Sequence, residues 1–367
     1  MKTIRQAAGK LLVVGLAGPD LTSIERAWLR LIRPAGVILF RRNISDARQT
    51  RALLAEATSL CVPHALRCVD LEGGPVDRLR DVLAPLPSAQ AVAQAVETTG
   101  KNTLAREHGE LVARAARAFG FNVTLAPVLD LGLPESAPVM GVRCAAPSAQ
   151  CVIEYAREFL AGLGAHGIAG CGKHFPGLGG GTLDSHNETP RIERPWRKLW
   201  QEDIEPYRAL CGQLPMVMVS HAAYPLTRGK DRPASVSRFW IETILKKRIG
   251  YRGIVFSDDF EMGGILNFLP IEEAVVEAVR AGMDLVEICH SPELILRAFE
   301  SLVTTAERSA SFRSLLVARA RTAAQKRVRW IAPDVSPAPG ARHLEALRTR
   351  ILGYGEKVAA VQEVNAT

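Results

Sequence analysis

The chain has no stretch of 18 or more apolar residues among its 367, so the sequence offers no helical membrane span. No CxxC pair occurs, and the seven cysteines are an odd number. They are Cys61, Cys68, Cys144, Cys151, Cys171, Cys211 and Cys289. That pattern excludes a zinc cluster built on paired cysteines and argues against a disulfide framework. A reducing compartment is expected, with the cytoplasm as the natural location. There is also no long Lys/Arg tract and no basic run interleaved with aromatics. The net charge of +8 is therefore read as that of a basic enzyme with no nucleic-acid partner. The apolar run Leu11–Ala17 is too short for the core of a signal peptide and reads as a strand. No internal repeat or low-complexity block is present.

Eight short apolar runs recur along the chain: Leu11–Ala17, Gly36–Phe40, Leu66–Asp70, Phe121–Leu129, Ile168–His174, Met216–His221, Gly253–Asp258 and Met283–Cys289. Near-continuous apolar character is what strands buried on both faces of a parallel sheet require. Between the runs lie segments of helical periodicity, among them Ser45–Leu60, Asn102–Phe119, Ser148–His166, Ser235–Ile249 and Pro270–Ala281. Eight β–α alternations predict an α/β fold, a single (β/α)8 TIM-type barrel; a doubly wound open sheet would normally have fewer strands. The barrel is expected over residues 1–330, ending with a helix near Pro292–Thr305 and an Ala/Arg-rich helix to about Val328. Residues 331–367 are too few for a separate domain and read as a tail, either a packed helix or a frayed end.

The chemistry-bearing residues fall at the C-terminal ends of these runs. They are Asp70, Asp130, Lys173, His174, His221 and Asp258. A barrel carries its catalytic groups on that rim. Three segments stand out. After Lys173 and His174 come four glycines in five positions, Gly177–Gly181, which read as a mobile loop, and then Asp184 and His186. A carboxylate near an imidazole can hold it in one tautomer and raise its basicity, and histidine suits proton transfer near neutral pH. In Phe256-Ser-Asp-Asp-Phe260, Asp258 can reach into a site while Asp259 serves the backbone as a cap. In Val69-Asp-Leu-Glu-Gly-Gly-Pro-Val-Asp-Arg78, Asp70 can accept from sugar hydroxyls and Arg78 can clamp a hydroxyl or carbonyl.

The stretch Lys173–His186 resembles the KHFPGHG…DSH signature of glycoside hydrolase family 3, in particular its bacterial β-N-acetylhexosaminidase branch that works in peptidoglycan recycling. Ala126-Pro-Val-Leu-Asp130 resembles that family's FAPVLD strand, Pro138–Arg143 its NPVIGxR, and Ser257–Met262 its SDDLxM. The matches run in family order from about residue 11 to 290. The resemblance implies a retaining, two-step mechanism with Asp258 as nucleophile and His186 as general acid/base, paired with Asp184. It implies that Asp70, Arg78, Arg143, Lys173 and His174 hold the terminal sugar; His221 is added from its place on the rim.

The sequence departs from the signature at Leu178, where the family has histidine, at Pro75, where it often has arginine, and at Cys144–Ala146, where Arg143-Cys-Ala-Ala146 stands in place of RSFG. The expected function is that of an exo-β-N-acetylglucosaminidase releasing GlcNAc from muropeptide fragments, with no cofactor and no metal. Another exo-β-glycosidase of the β-glucosidase or β-xylosidase type, or a non-catalytic sugar-binding barrel, stands as the alternative, and water or phosphate as acceptor is left open.

Overall fold

The computed structural model describes residues 2–181, 188–332 and 338–366. Its centre is a closed barrel of eight strands: Leu12–Gly15, Gly36–Leu39, Leu66–Val69, Val123–Thr124, Ala169–Phe175, Met216–Val219, Ile254–Asp259 and Leu285–Ile288. Each pairs in parallel with its neighbours in sequence, and the last closes on the first through Leu12 opposite Val286. All eight predicted runs are strands of this barrel, most with shorter ends; the fifth and seventh reach one residue further, to Phe175 and Asp259. The reason for their apolar character is plain: nearly every side chain is buried, either in the barrel interior or against the surrounding helices.

The fourth run is the most shortened. Regular pairing ends at Thr124, because the chain then bends through Pro127, which has no N–H to give to a ladder. Contact with the neighbours continues irregularly, with Leu125 N donating to Val69 O and Cys171 N to Ala126 O. The fifth strand carries a bulge. Gly172 faces Val217 and Phe175 faces Val219, so three residues on one strand advance against two on the other.

The helices follow their local signals. Asp46 and Ser291 accept from the first-turn N–H groups of Ala47–Ser59 and Pro292–Arg308. Ser23–Ile32, between the first two strands as the alternation implies, starts at a reciprocal capping box of Thr22 and Glu25. The segment expected as an ordinary helix over Ser235–Ile249 is wound as a π-helix over Phe239–Arg248, with Ile249 N reaching back five residues to Ile244 O.

Residues 341–366 form one helix, Ala341–Ala366, packed on Ala89–Thr99 and Thr103–Ala118. Leu347, Ile351, Tyr354 and Val358 are buried, and Tyr354 Oη donates to Leu104 O at 2.8 Å. No helix among the described residues is long and apolar enough to cross a membrane.

Candidate active site

The strand ends converge on one cavity of about 500 Å³ at the C-terminal mouth of the barrel. Asp70, Arg78, Arg143, Lys173, His174 and Asp258, which the sequence singled out, all line it. Asp184 and His186 lie outside the described residues.

Lys173 and His174 are consecutive, and in a regular strand their side chains would point to opposite faces. The bulge between Gly172 and Phe175 removes that constraint, and both line the cavity. Lys173 is 3% exposed, and its Nζ lies 3.0 Å from Asp70 Oδ1 and 2.5 Å from Glu72 Oε1. Glu72, equally buried, also accepts two N–H groups of Arg143, each at 2.9 Å. Burial pushes the Glu72 carboxyl up, but Arg143 and Lys173 overcome that and hold it at about 2. Asp70 is likewise held below the ordinary carboxylate range, its burial outweighed by Lys173 and Arg78. Burial would lower the Lys173 ammonium, yet Asp70 and Glu72 raise it, so it stays charged. Buried Glu72 and partly buried Asp70 thus offset the charges of Lys173 and Arg143 while fixing where their remaining donors point.

His174 is oriented by Asp130. Its Nδ1 is 2.6 Å from Asp130 Oδ2, which also accepts from the His174 backbone N–H. This arrangement makes Nδ1 the donor and leaves Nε2 as the nitrogen for the cavity. Asp130 Oδ1 takes the Leu178 N–H at 2.7 Å, so one buried carboxylate secures both the histidine and the start of the glycine-rich loop.

As far as it is described, the glycine-rich segment is closely packed. Gly177 has φ +134°, and a Cβ there would lie 2.8 Å from Asp203 Cβ. A Cβ on Gly180 would meet Arg194 Cδ at 2.5 Å, and Arg194 is itself tied to Asp203. Tyr224 Oη donates to Gly177 O. The glycines serve close packing here, and Leu178 is nearly buried at the cavity wall.

Asp258 sits at the end of the seventh strand, half-buried, with one oxygen accepting from Asp259 N at 3.0 Å. Asp259 caps backbone: its Oδ1 accepts from Glu261 N and Cys289 N. Both carboxylates line the cavity and both accept backbone N–H groups, Asp258 one and Asp259 two, so the expected division of labour between them is only partial.

His221 is corrected. It does not line the cavity; its ring is buried, with Nδ1 2.7 Å from Ser235 Oγ and Nε2 3.0 Å from Asp259 O. Burial lowers its pKa against the pull of Asp258, so the neutral ring braces the Asp258–Asp259 backbone from behind. With both nitrogens engaged it has no atom left for a sugar.

Sequence reasoning passed over Glu72 and Glu287. The first had a signal: Asp70 and Glu72 are two apart in extended backbone and share a face. The second is one of two charged residues inside the eighth apolar run, with Asp284. Among the described residues one group could hold a metal ion, Asp259, Cys289 and His290. Its carboxylate already takes two backbone N–H groups.

Residues 3–319 match the family described as Glycosyl hydrolase family 3 N terminal domain. The chain is 37% identical over 297 residues to a β-hexosaminidase of Xanthomonas oryzae pv. oryzae, covering 80% of this chain and 87% of that one. It also resembles the structure of a family 3 β-N-acetylglucosaminidase from Paenibacillus sp. str. FPU-7, with TM-score 0.84 and 29% identity over 95% of this chain and 68% of that one. NagZ from Neisseria gonorrhoeae, in complex with N-trifluoroacetyl-D-glucosamine, is similar with TM-score 0.72 and 30% identity over 86% of this chain and 98% of that one. With a family match over most of its length and relatives above 30% identity, the chain belongs to glycosyl hydrolase family 3.

Proposed function

We propose that this cavity removes a terminal β-linked N-acetylglucosamine by a retaining double displacement. The chain is a glycoside hydrolase of the β-N-acetylhexosaminidase type. The observation that carries the mechanistic reading is the convergence of Asp258 with Asp70, Arg78, Arg143, Lys173 and His174 on one cavity. A fixed set of donors and acceptors on one side suits the hydroxyls and amide of a single sugar ring. A half-buried carboxylate on a strand end suits attack at its anomeric carbon.

In the first step the Asp258 carboxylate bonds to the anomeric carbon. The glycosidic oxygen departs and takes a proton from the His186 imidazolium. In the second step the neutral imidazole takes a proton from water, whose oxygen attacks the same carbon and releases Asp258. Asp184 holds the His186 ring in position. Asp70, Arg78, Arg143, Lys173 and His174 bind the sugar throughout. The relatives' names support GlcNAc as the sugar. We read the natural substrates as peptidoglycan-derived fragments and the compartment as the cytoplasm.

The test is hydrolysis of nitrophenyl β-GlcNAc set against the β-glucoside, followed by trapping with a fluorinated glycosyl donor and mapping of the labelled peptide. Label on Asp258, and loss of at least about 1,000-fold in turnover in Asp258→Asn, are expected. Label on another carboxylate, or near-normal turnover in that variant, would refute the assignment.

A further inference from the structure

Glu287 lies on the eighth strand, in the run Met283–Cys289, whose other charged residue, Asp284, is paired with Lys326. Its backbone is fixed at both ends: its N–H donates to Ser257 Oγ at 2.9 Å, and its carbonyl accepts from Phe260 N at 2.9 Å. Its side chain is 2% exposed, yet it lines the same cavity as Asp258. Oε1 is buried and has no hydrogen-bond partner in the protein. A buried polar atom left unpaired costs free energy, and native structures rarely keep one unless something else supplies the partner.

We propose that Glu287 is a specificity-determining residue whose carboxyl group, through Oε1, hydrogen-bonds one ring hydroxyl of the terminal sugar from the floor of the cavity. The inference rests on the reading of the cavity as a sugar site.

The chemistry of the surroundings fits. Two donors of the nearby cation, Lys173, are taken by Asp70 and Glu72, and no hydrogen bond joins it to Glu287 Oε1. Burial first, then the neighbouring charges of Asp259, Asp70 and Asp258, push the Glu287 carboxyl well above the ordinary range. A neutral carboxylic acid both donates and accepts, as a sugar hydroxyl does. A carboxylate beside Asp258 would instead repel the nucleophile's charge. The same floor position occupied by an aliphatic side chain would leave the sugar hydroxyl without a partner and lower discrimination against a deoxy sugar.

The experiment is a set of double-mutant cycles. kcat and KM are measured for nitrophenyl β-GlcNAc and its 3-, 4- and 6-deoxy analogues with the wild type, Glu287→Gln and Glu287→Leu. Binding of the corresponding methyl glycosides is followed by calorimetry. Glu287→Leu should lower kcat/KM for the parent about 10- to 100-fold. It should make one deoxy analogue almost as good as the parent, while the other two remain discriminated as before. Glu287→Gln, which keeps one donor and one acceptor, should restore most of the activity and the discrimination.

If every deoxy penalty adds independently to the Glu287→Leu loss, Oε1 meets water or nothing and the proposal fails. It fails equally if the Gln variant discriminates no better than the Leu variant. Should the leucine variant not fold, Glu287→Ala takes its place: loss of discrimination confined to one hydroxyl supports the contact, and unchanged discrimination at all three positions refutes it. If the wild type cleaves no aryl β-GlcNAc, the functional reading falls, and the calorimetric cycle still decides the contact separately.

Discussion

Replacing Glu72 by glutamine tests how much of the site is held by one buried carboxylate. The amide is nearly isosteric, so volume is conserved and the change is electrostatic. Glu72 accepts two N–H groups from Arg143 and one from Lys173, with both partners largely shielded from water. In Glu72→Gln one oxygen becomes an NH2 group facing a donor, and two cations are left with Asp70 as their remaining counter-charge. Removing one partner of a buried ion pair costs about 3–5 kcal/mol. Proton linkage gives a similar figure: a glutamate of ordinary pKa 4.5 held at about 2 corresponds to about 3 kcal/mol. The sign follows from the depressed folded-state value. The contribution is fully present above pH 4.5 and is lost as pH falls toward 2. Urea unfolding at pH 7 should therefore show Glu72→Gln destabilised by about 3 kcal/mol, and the gap to wild type should narrow below pH 4. KM should rise, since Lys173 and Arg143 both line the cavity. A loss below about 1 kcal/mol with KM unchanged would refute the view that Glu72 holds the two cations in place.

Other perturbations have expected outcomes of their own. His108 is buried, and burial pushes its pKa from 6.5 to about 3, so the unfolded chain takes up a proton that the folded one refuses below pH 6.5. His108→Phe should flatten the acid-side fall in stability by about 1.4 kcal/mol per pH unit between pH 6 and 4; identical slopes in denaturation series would contradict this. Asp130→Asn should cut kcat/KM about 10- to 100-fold by releasing His174 and the Leu178 N–H, and an unaltered pH–rate profile would remove Asp130 from the site's positioning role. Gly177→Ala should destabilise the fold by about 2 kcal/mol through its positive φ and the contact with Asp203, as read by melting temperature. Unchanged stability would mean that the loop has room to move after all.

Much of this was legible before any coordinates. The eight runs were readable because a barrel strand has no wet face, so its apolar character needs no periodic signal. The rim was readable because polar residues ending such runs have few other places to go. His221 misled because it obeys that rule in sequence, and only its two hydrogen-bond partners, from residues 14 and 38 positions away, show that it faces backbone. Glu72 and Glu287 were passed over for different reasons: the first belongs to the antiparallel hairpin of Leu71–Gly73 and Val76–Asp77, whose pairing is local and irregular, and the second shares an apolar run with another acid, Asp284. The glycines after Pro176 looked like looseness. Their partners, Asp203, Leu131 and Arg194, are distant in sequence, so close packing could not be distinguished from freedom by composition alone.

The C-terminal helix has a reach that its distance from the mouth conceals. Tyr354 stacks on the ring of His108, with centroids 6.0 Å apart, and that ring abuts the site of Gly73, where a Cβ would come within 3.1 Å of His108 Nε2. Gly73 follows Glu72 in the hairpin. A chain shortened at Trp330 would therefore bare a greasy seam on the outer helices and also withdraw the prop behind the carboxylate that steadies Lys173 and Arg143. Substrate affinity would decline in a truncated enzyme whose barrel is otherwise whole.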